Sequence, residues 1–392
     1  MIKLIIYTEN YFAGGLERFI FDLILSDIFD IHIMVNSDNK RVINFAKQYN
    51  IAYTAIPLIN FKILKYKDNK IIKLFNFIAY YISMIPNYFL LKRKLQDILI
   101  DNLLIVNGGY PAALSSFSMA IAGKRLGVKR VGLSILSTPS PYYNNKFFSF
   151  FHSKLDSFTD KYIDFYIPNS NKIKSELIKI GFKSDKIKTI YTGVNIPSNL
   201  RKYPTLNYKN LQLTKNNSEV WIAMIALLGS TKRQDLLIDA MSKIEDKNIK
   251  LLLIGDGPKK EMLIEKVKKL NLNNNIFFLG WIENPKFIYQ FIDMIVYLSD
   301  HEGLPYAISE AMSYKIPIIA SNVGGIPEQI DNKKGGLLIE NSDIDSLVDK
   351  IQLLARDKEL QQKYANYSFN KLKITFSVNR MKKEIFDLYT KN

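Results

Sequence analysis

Short apolar runs alternate with stretches of helical spacing along almost the whole chain. In the first half the runs are 2–8 (IKLIIYT), 31–37, 51–57, 103–109, 130–136, 164–170 and 187–193. In the second half they are 220–228, 250–256, 275–281, 293–299, 317–321 and 336–340. Strands that are apolar along their whole length and separated by helices belong to parallel sheets covered on both faces. The polar stretch 195–219 (NIPSNLRKYPTLNYKNLQLTKNNSE) interrupts the series and reads as a linker. The expected organisation is an α/β domain at 1–195, a linker at 196–219, a second α/β domain at 220–375 and a helical end at 376–392. Helical runs are predicted at about 358–374 and 377–390. The fold class is α/β, with two doubly wound, Rossmann-like domains facing across a cleft, where ligands of such folds bind.

Length agrees with two domains, since 392 residues exceed one ordinary core. An apolar share of 47% with 23% charged residues describes a globular chain. The absence of cysteine excludes disulfides and thiolate metal sites, and His32, His152 and His301 have no ligand-like spacing. The N-terminal MIKLIIYTENYF has the character of a strand and lacks the apolar region and cleavage site of a signal peptide, so a cytoplasmic protein is expected. The net charge of +17 is uneven: residues 1–195 contribute +12 and the remainder +5. An anionic substrate, an anionic lipid surface or nucleic acid would each attract such a half. No nucleic-acid reading module is recognisable, so nucleic acid is not expected as a partner.

The segment SDHEGLPYAISEAMSYKIPIIAS (299–321) holds Glu302 and Glu310 with seven residues between them. Two such carboxylates could be an acid–base pair, metal ligands or binding groups. A strand at 293–299 followed by LPYAISEAM, with Leu304, Ile308, Ala311 and Met312 on one stripe, puts Glu302 in the loop and Glu310 in the helix, with Pro305 in its first turn. At the helical rise the carboxylates lie about 10 Å apart along the axis. Retaining glycoside hydrolysis uses about 5 Å, and the inverting range is also slightly exceeded. Between them lie the N–H groups of a helix start, a ready anion site. That geometry suits a ligand with an anionic centre and hydroxylated ends, as in a nucleotide-sugar.

Other strand ends supply candidate loops. AGGLERF carries Gly14 and Gly15 at a helix start, where they permit close phosphate approach or form a plain tight turn. GDGP carries Gly255, Gly257 and Pro258, and NVGGIPEQI (322–330) is a further glycine-rich turn. In GSTKRQD, Lys232 and Arg233 sit at a helix start, where a cation is unfavourable unless an anion binds. No metal site and no cofactor are expected.

These residues resemble retaining glycosyltransferases of family 4, which have the GT-B fold. EGLPYAISE matches their E-x7-E signature, and GGLERF, NGGYPA (107–112), LLGSTKRQDLLIDA, LLLIGDGP, FLGW and PIIASNVGGIPEQI extend the resemblance over essentially the whole chain. The resemblance implies that Glu302 touches the donor hexose, that Gly303 and Leu304 hold sugar or phosphate oxygens, and that Glu310 binds ribose. It also implies that Lys232 neutralises the departing diphosphate, that Gly255–Pro258 and Gly280, Trp281 and Ile282 contact base and diphosphate, and that the last helix returns to the first domain. The implied partners are a nucleotide-sugar donor and a glycan or lipid-linked acceptor in cell-surface polysaccharide synthesis. Two departures stand out. The family's arginine five residues before the lysine is Leu227 here, so Arg233 or another cation must substitute. The family's first-domain histidine is missing from LSILSTPSP (133–141), leaving Ser134, Ser137 or Thr138 for its role. A non-hydrolysing nucleotide-sugar epimerase and a binding-only degenerate relative are the rival readings.

Residues 58–96 hold eight Lys/Arg, one Asp and eight interleaved aromatics. Their longest uncharged run contains Asn76, Ser83, Pro86 and Asn87, which disfavours a membrane span. The composition predicts either a helix lying on an anionic membrane, with the protein peripheral on its inner face, or an ordinary pair of domain helices.

Overall fold

The computed structural model describes residues 1–10, 14–25, 27–59, 79–98, 101–110, 113–139, 146–200, 202–209, 211–340 and 343–390. They form two compact units, Met1–Tyr191 with Met381–Asn392, and Thr192–Arg380.

In the first unit the strands are β1 (Ile2–Thr8), β2 (Phe29–Asn36), β3 (Ala52–Ile56), β4 (Asn102–Asn107), β5 (Arg130–Ile135) and β6 (Phe165–Pro168). They make one sheet in the order β3-β2-β1-β4-β5-β6, parallel throughout. The helices are α1 (Gly15–Ile24), α2 (Lys40–Gln48), α3 (Met84–Gln96), α4 (Ser115–Arg125), α5 (Lys146–Thr159) and α6 (Asn171–Lys179). Side chains cap two of them: Asn39 accepts from the Val42 N–H at 3.1 Å and Ser170 from the Ile173 N–H at 3.2 Å. Such caps satisfy backbone donors that a helix leaves open. The apolar faces thus started, Val42 with Ala46 and Ile173 with Leu177, are buried.

The second unit begins with a hairpin, β7 (Thr205–Tyr208) and β8 (Leu211–Thr214), antiparallel and turning through Lys209 at φ +52°. Its sheet contains β9 (Val220–Ile225), β10 (Ile249–Ile254), β11 (Ile276–Gly280), β12 (Met294–Tyr297), β13 (Ile318–Ser321) and β14 (Leu337–Ile339). Their order is β11-β10-β9-β12-β13-β14, again parallel throughout. The helices are α7 (Gln234–Lys243), α8 (Lys260–Lys269), α9 (Tyr306–Ser313), α10 (Ile326–Ile330), α11 (Ile344–Arg356) and α12 (Lys358–Thr375); the last helix, α13 (Val378–Thr390), belongs to the first unit from Met381 onward. Ile222, Leu251, Leu253, Val296 and Ile319 form the centre of a core that Leu237, Ile238, Ile351 and Leu354 close from the helices.

Each sheet therefore repeats one plan, with the winding reversing between its first and fourth strands. Crevices for ligands open at the carboxyl ends beside such reversals.

Two elements differ from expectation. Residues 187–193 are extended but form no strand: the Lys188 and Ile190 N–H groups reach the carbonyls of Tyr166 and Pro168, and one isolated bridge joins Tyr166 to Ile187. The stretch read as linker holds the β7–β8 hairpin and is strapped to the second unit. There Lys202 donates to the carbonyls of Tyr289 and Ile292, Lys215 pairs with Asp293, and the Tyr203 N–H donates to Gln290 at 2.9 Å. At the other end, α13 packs on the first sheet: Arg130 donates to the Leu388 carbonyl at 2.6 Å and the Tyr389 hydroxyl to Leu103 at 2.9 Å.

Candidate active site

In the second unit the winding reverses between β9 and β12, so the loops that follow these strands emerge side by side. The Asp300 N–H and the Ser299 hydroxyl both donate to the Thr231 carbonyl, at 2.8 and 3.1 Å, and tie the two loops together. This brings Lys232 from one loop against Glu302 from the other. The Lys232 ammonium donates to Glu302 Oε1 and, at 3.1 Å, to the Tyr297 hydroxyl. That hydroxyl lies 3.0 Å from the same Glu302 oxygen. Tyr297 ends β12 and is buried, while the lysine and glutamate side chains retain 18% and 11% exposure. Burial pulls the lysine's pKa down, but the attraction of Tyr297 and Glu302 more than offsets it, and the ammonium stays charged. Burial, reinforced by the Glu302 charge, pushes the Tyr297 phenol up, so it stays neutral.

The backbone around Glu302 is held from the third side. Gly324, at φ +57°, follows β13, and a Cβ built there would lie 2.0 Å from the Glu302 carbonyl oxygen. Only glycine allows that approach. The Gly325 N–H then donates to the Gly303 carbonyl at 2.8 Å. Pro305 caps α9 in extended conformation, just before the first turn in which the sequence placed it. Leu304, Ile308, Ala311 and Met312 are buried as the spacing predicts. Glu310 faces away from that stripe, and its Oε2 accepts a 3.0 Å hydrogen bond from Tyr289. The Tyr289 ring is buried and stacks on Tyr314 at 5.3 Å. Each of the two glutamates thus has its own buried phenol.

The loops after β9, β10 and β11 are knit through backbone. The Gly255 N–H donates to the Gly280 carbonyl at 2.9 Å, the Leu228 N–H to Asp256 at 3.0 Å, and the Lys259 N–H to Leu228 at 3.0 Å. Gly257 and Pro258 lie in this weave, with α8 starting at Lys260, two residues after the proline. Beyond Gly280, Trp281 is 41% exposed and Ile282 is buried. Arg233 caps α7 at φ +20° and points at Asp235 and Asp300, each 3.3 Å away. Leu227, where the resembled family carries arginine, is 55% exposed.

One set of expected residues therefore gathers at the carboxyl edge of the second sheet: Lys232, Arg233, Gly255, Gly257, Pro258, Gly280, Trp281, Ile282, Gly303, Leu304, Glu302 and Glu310. Gly14 and Gly15 belong to the first unit. Gly14 caps α1 with extended backbone at φ 176°, and a Cβ there would meet nothing within 4 Å, so no close approach demands glycine. Ser134 cannot take the role of the missing histidine, because it is fully buried in β5; Ser137 and Thr138 are half-buried. His301 is exposed. Among the described residues, no group of three or more His, Asp or Glu side chains could hold a metal ion. Sequence reasoning missed Tyr297 and Tyr289, and marked Gly324 only as part of the glycine-rich turn 322–330. A tyrosine in the otherwise aliphatic DMIVYLS, five residues before Glu302, was the available signal for the first.

Residues 209–371 match the model of the family described as glycosyl transferases group 1. The chain is 30% identical over 188 residues to the N-acetyl-alpha-D-glucosaminyl L-malate synthase of Bacillus anthracis, covering 48% of each protein. It is 23% identical over 389 residues to the N-acetylgalactosamine-N,N'-diacetylbacillosaminyl-diphospho-undecaprenol 4-alpha-N-acetylgalactosaminyltransferase of Campylobacter jejuni, covering 95% of this chain and 97% of that one. Several other curated relatives are matched over only about half of their length, 55% and 41% for two of them. Among solved structures, Anabaena HepE in complex with UDP superposes with a TM-score of 0.77 at 17% identity, covering 100% of both chains. The two Rossmann-like halves are those of the GT-B fold, and the family match lies within the second of them.

Proposed function

We propose that this chain transfers a hexose from a nucleotide-sugar to a glycan or lipid-linked acceptor, with retention of configuration, in cell-surface polysaccharide synthesis. The carrying observation is Lys232, a partly buried cation paired with Glu302, whose own loop runs into the helix that bears Glu310. The donor diphosphate would lie against Lys232 and the start of α9, the hexose hydroxyls on Glu302 and the ribose hydroxyls on Glu310. As the bond between the anomeric carbon and the phosphate oxygen breaks, Lys232 stabilises the charge that develops on the leaving diphosphate. The acceptor oxygen bonds to the same face of the anomeric carbon, and the leaving phosphate takes its proton. No metal enters this scheme. The UDP named in the HepE structure and the diphospho-undecaprenol named in the Campylobacter relative support a UDP-sugar and a lipid-linked acceptor.

The test is incubation with UDP-, GDP- and ADP-hexoses and an undecaprenyl-diphosphate-linked sugar, with and without excess EDTA. The expected product has the donor's anomeric configuration and forms equally in both arms. Rescue of a chelated sample by Mg²⁺ would remove the metal-free scheme. Interconversion of the donor alone would indicate an epimerase. The exposed Leu227 favours the other rival, a binding-only relative, which would bind nucleotide without turnover.

The two glutamates should separate in kinetics. Glu310→Gln removes a charge-assisted contact worth ~1.5–3 kcal/mol, so free UDP should bind at least about tenfold more weakly. Glu302→Gln should leave UDP binding intact and lower kcat, because its partner is the reacting sugar. Calorimetry and steady-state kinetics on both variants check this, and equal loss of kcat with unchanged UDP affinity in both would refute the assignment.

A peripheral position on the inner face of the cell membrane is proposed through 58–96, of which 60–78 lie outside the described residues. The described part supports it: Ile82, Ile85 and Phe89 are 51%, 62% and 64% exposed along one helical face that continues to exposed Arg93. Among the described residues no helix is long and apolar enough to cross a membrane. A basic side chain near an anionic surface contributes ~1 kcal/mol. Sedimentation with anionic liposomes should therefore fall when Lys92, Arg93 and Lys94 become glutamine. Indifference to lipid charge would rule the contact out.

A further inference from the structure

The geometry points to Tyr297 as a positioning residue that lets Lys232 exchange Glu302 for a diphosphate. The inference rests on the donor-site reading above and adds a component to it. In the structure Lys232 is already paired, so a diphosphate must compete with Glu302 for the ammonium. An ammonium group only donates hydrogen bonds, so at the 3.1 Å contact the phenol oxygen accepts. The phenol's single proton is then directed to Glu302 Oε1, 3.0 Å away. The neutral phenol thus accepts from the cation and donates to the anion at the same time.

Its mounting makes it the fixed member of the three. Tyr297 is held in β12, paired in register with Ala320 of β13, and its ring is buried. Lys232 stands on the loop before α7, only two residues from the helix. When a diphosphate draws Lys232 away, the Tyr297 hydroxyl still donates to Glu302. The carboxylate then keeps a partner instead of being left buried and unpaired, which would oppose the exchange. Without the phenol the Lys232–Glu302 pair is self-satisfied, and every diphosphate has to break it against that opposition.

Tyr297→Phe keeps the ring and removes only the hydroxyl. In calorimetric titrations with UDP, with GDP and ADP alongside, it should weaken binding roughly tenfold, as for loss of a hydrogen bond to a charged group. In a Glu302→Gln background the same substitution should change UDP affinity less than about twofold, because a neutral amide does not hold Lys232. Glu302→Gln alone should bind UDP at least as tightly as the wild type, a readout that stands even if Tyr297→Phe fails to fold. A purely packing role for Tyr297 predicts equal losses in both backgrounds, and that result overturns the inference. So does wild-type affinity in Tyr297→Phe, or weakened UDP binding in Glu302→Gln. A wild-type protein that binds none of the three nucleotides removes the donor-site reading itself, and the inference with it.

Discussion

Lys232→Ala should lower kcat by about 10²–10³, the usual effect of deleting one positioned group that meets charge as it develops. The loss should appear in kcat more than in KM, because the diphosphate carries more charge when leaving than when bound to the sugar. Three features of the site argue for so large an effect. The Lys232 side chain is only 18% exposed, so water replaces the ammonium poorly. Arg233 is turned to Asp235 and Asp300, which leaves it badly placed as a substitute. Leu227 supplies no second charge. Lys232→Arg should recover little of the rate, since a planar guanidinium cannot reproduce the ammonium's contacts with Tyr297 and Glu302. Steady-state kinetics on the two variants with saturating acceptor are the check. A Lys232→Ala enzyme within threefold of wild-type kcat would exclude this role.

Gly255→Ala should damage the second unit as a whole. Gly255 sits at φ +140°, a region that side chains rarely adopt, and an added Cβ would lie 2.0 Å from the Ala226 carbonyl oxygen. Neither party can give way easily. Ala226 is bonded through its N–H to Ile254, and the Gly255 N–H is bonded to Gly280. Relief would pull β9, β10 and β11 apart at the edge where the loops bearing Lys232 and Gly257 begin. Strain of this kind costs on the order of 3 kcal/mol. For a unit of this size that corresponds to roughly 6–12 °C in melting temperature. Thermal unfolding of the full chain should show the drop, and UDP should no longer protect it. A variant that melts like the wild type would show the loop to be softer than its hydrogen bonds indicate.

The sheets were legible because buried parallel strands have to be apolar on both faces, and runs such as KLLLIGD admit no other reading. The hairpin was not, because Leu206 and Leu213 are isolated among polar neighbours and four-residue strands give alternation too little length to register. At 187–193 the error was of the opposite kind: Ile187 and Ile190 are buried like strand residues, but only one bridge forms against β6. Glu302 and Glu310 could be placed from one loop and one helix. The Lys232–Glu302 contact spans 70 residues of sequence and follows only once β9 and β12 are known to be neighbours. Tyr297 and Tyr289 were hidden for a simpler reason. A tyrosine in an apolar run looks like core, and its ring is core; the partner of its hydroxyl is decided by a loop elsewhere in the chain.

The strap formed by residues 202–215 bears on how such proteins can be recombined. Judged by composition, the natural cut for joining the second unit to a different first unit falls at 219/220. That cut would strip Lys202 from the carbonyls of Tyr289 and Ile292, and so loosen the segment that carries the hydroxyl on Glu310. Chimaeras joined at Tyr191/Thr192 and at Arg380/Met381 keep the strap with the half it grips. In lineages that trade first units, inherited breakpoints should cluster at these two seams and spare the polar stretch between 195 and 219.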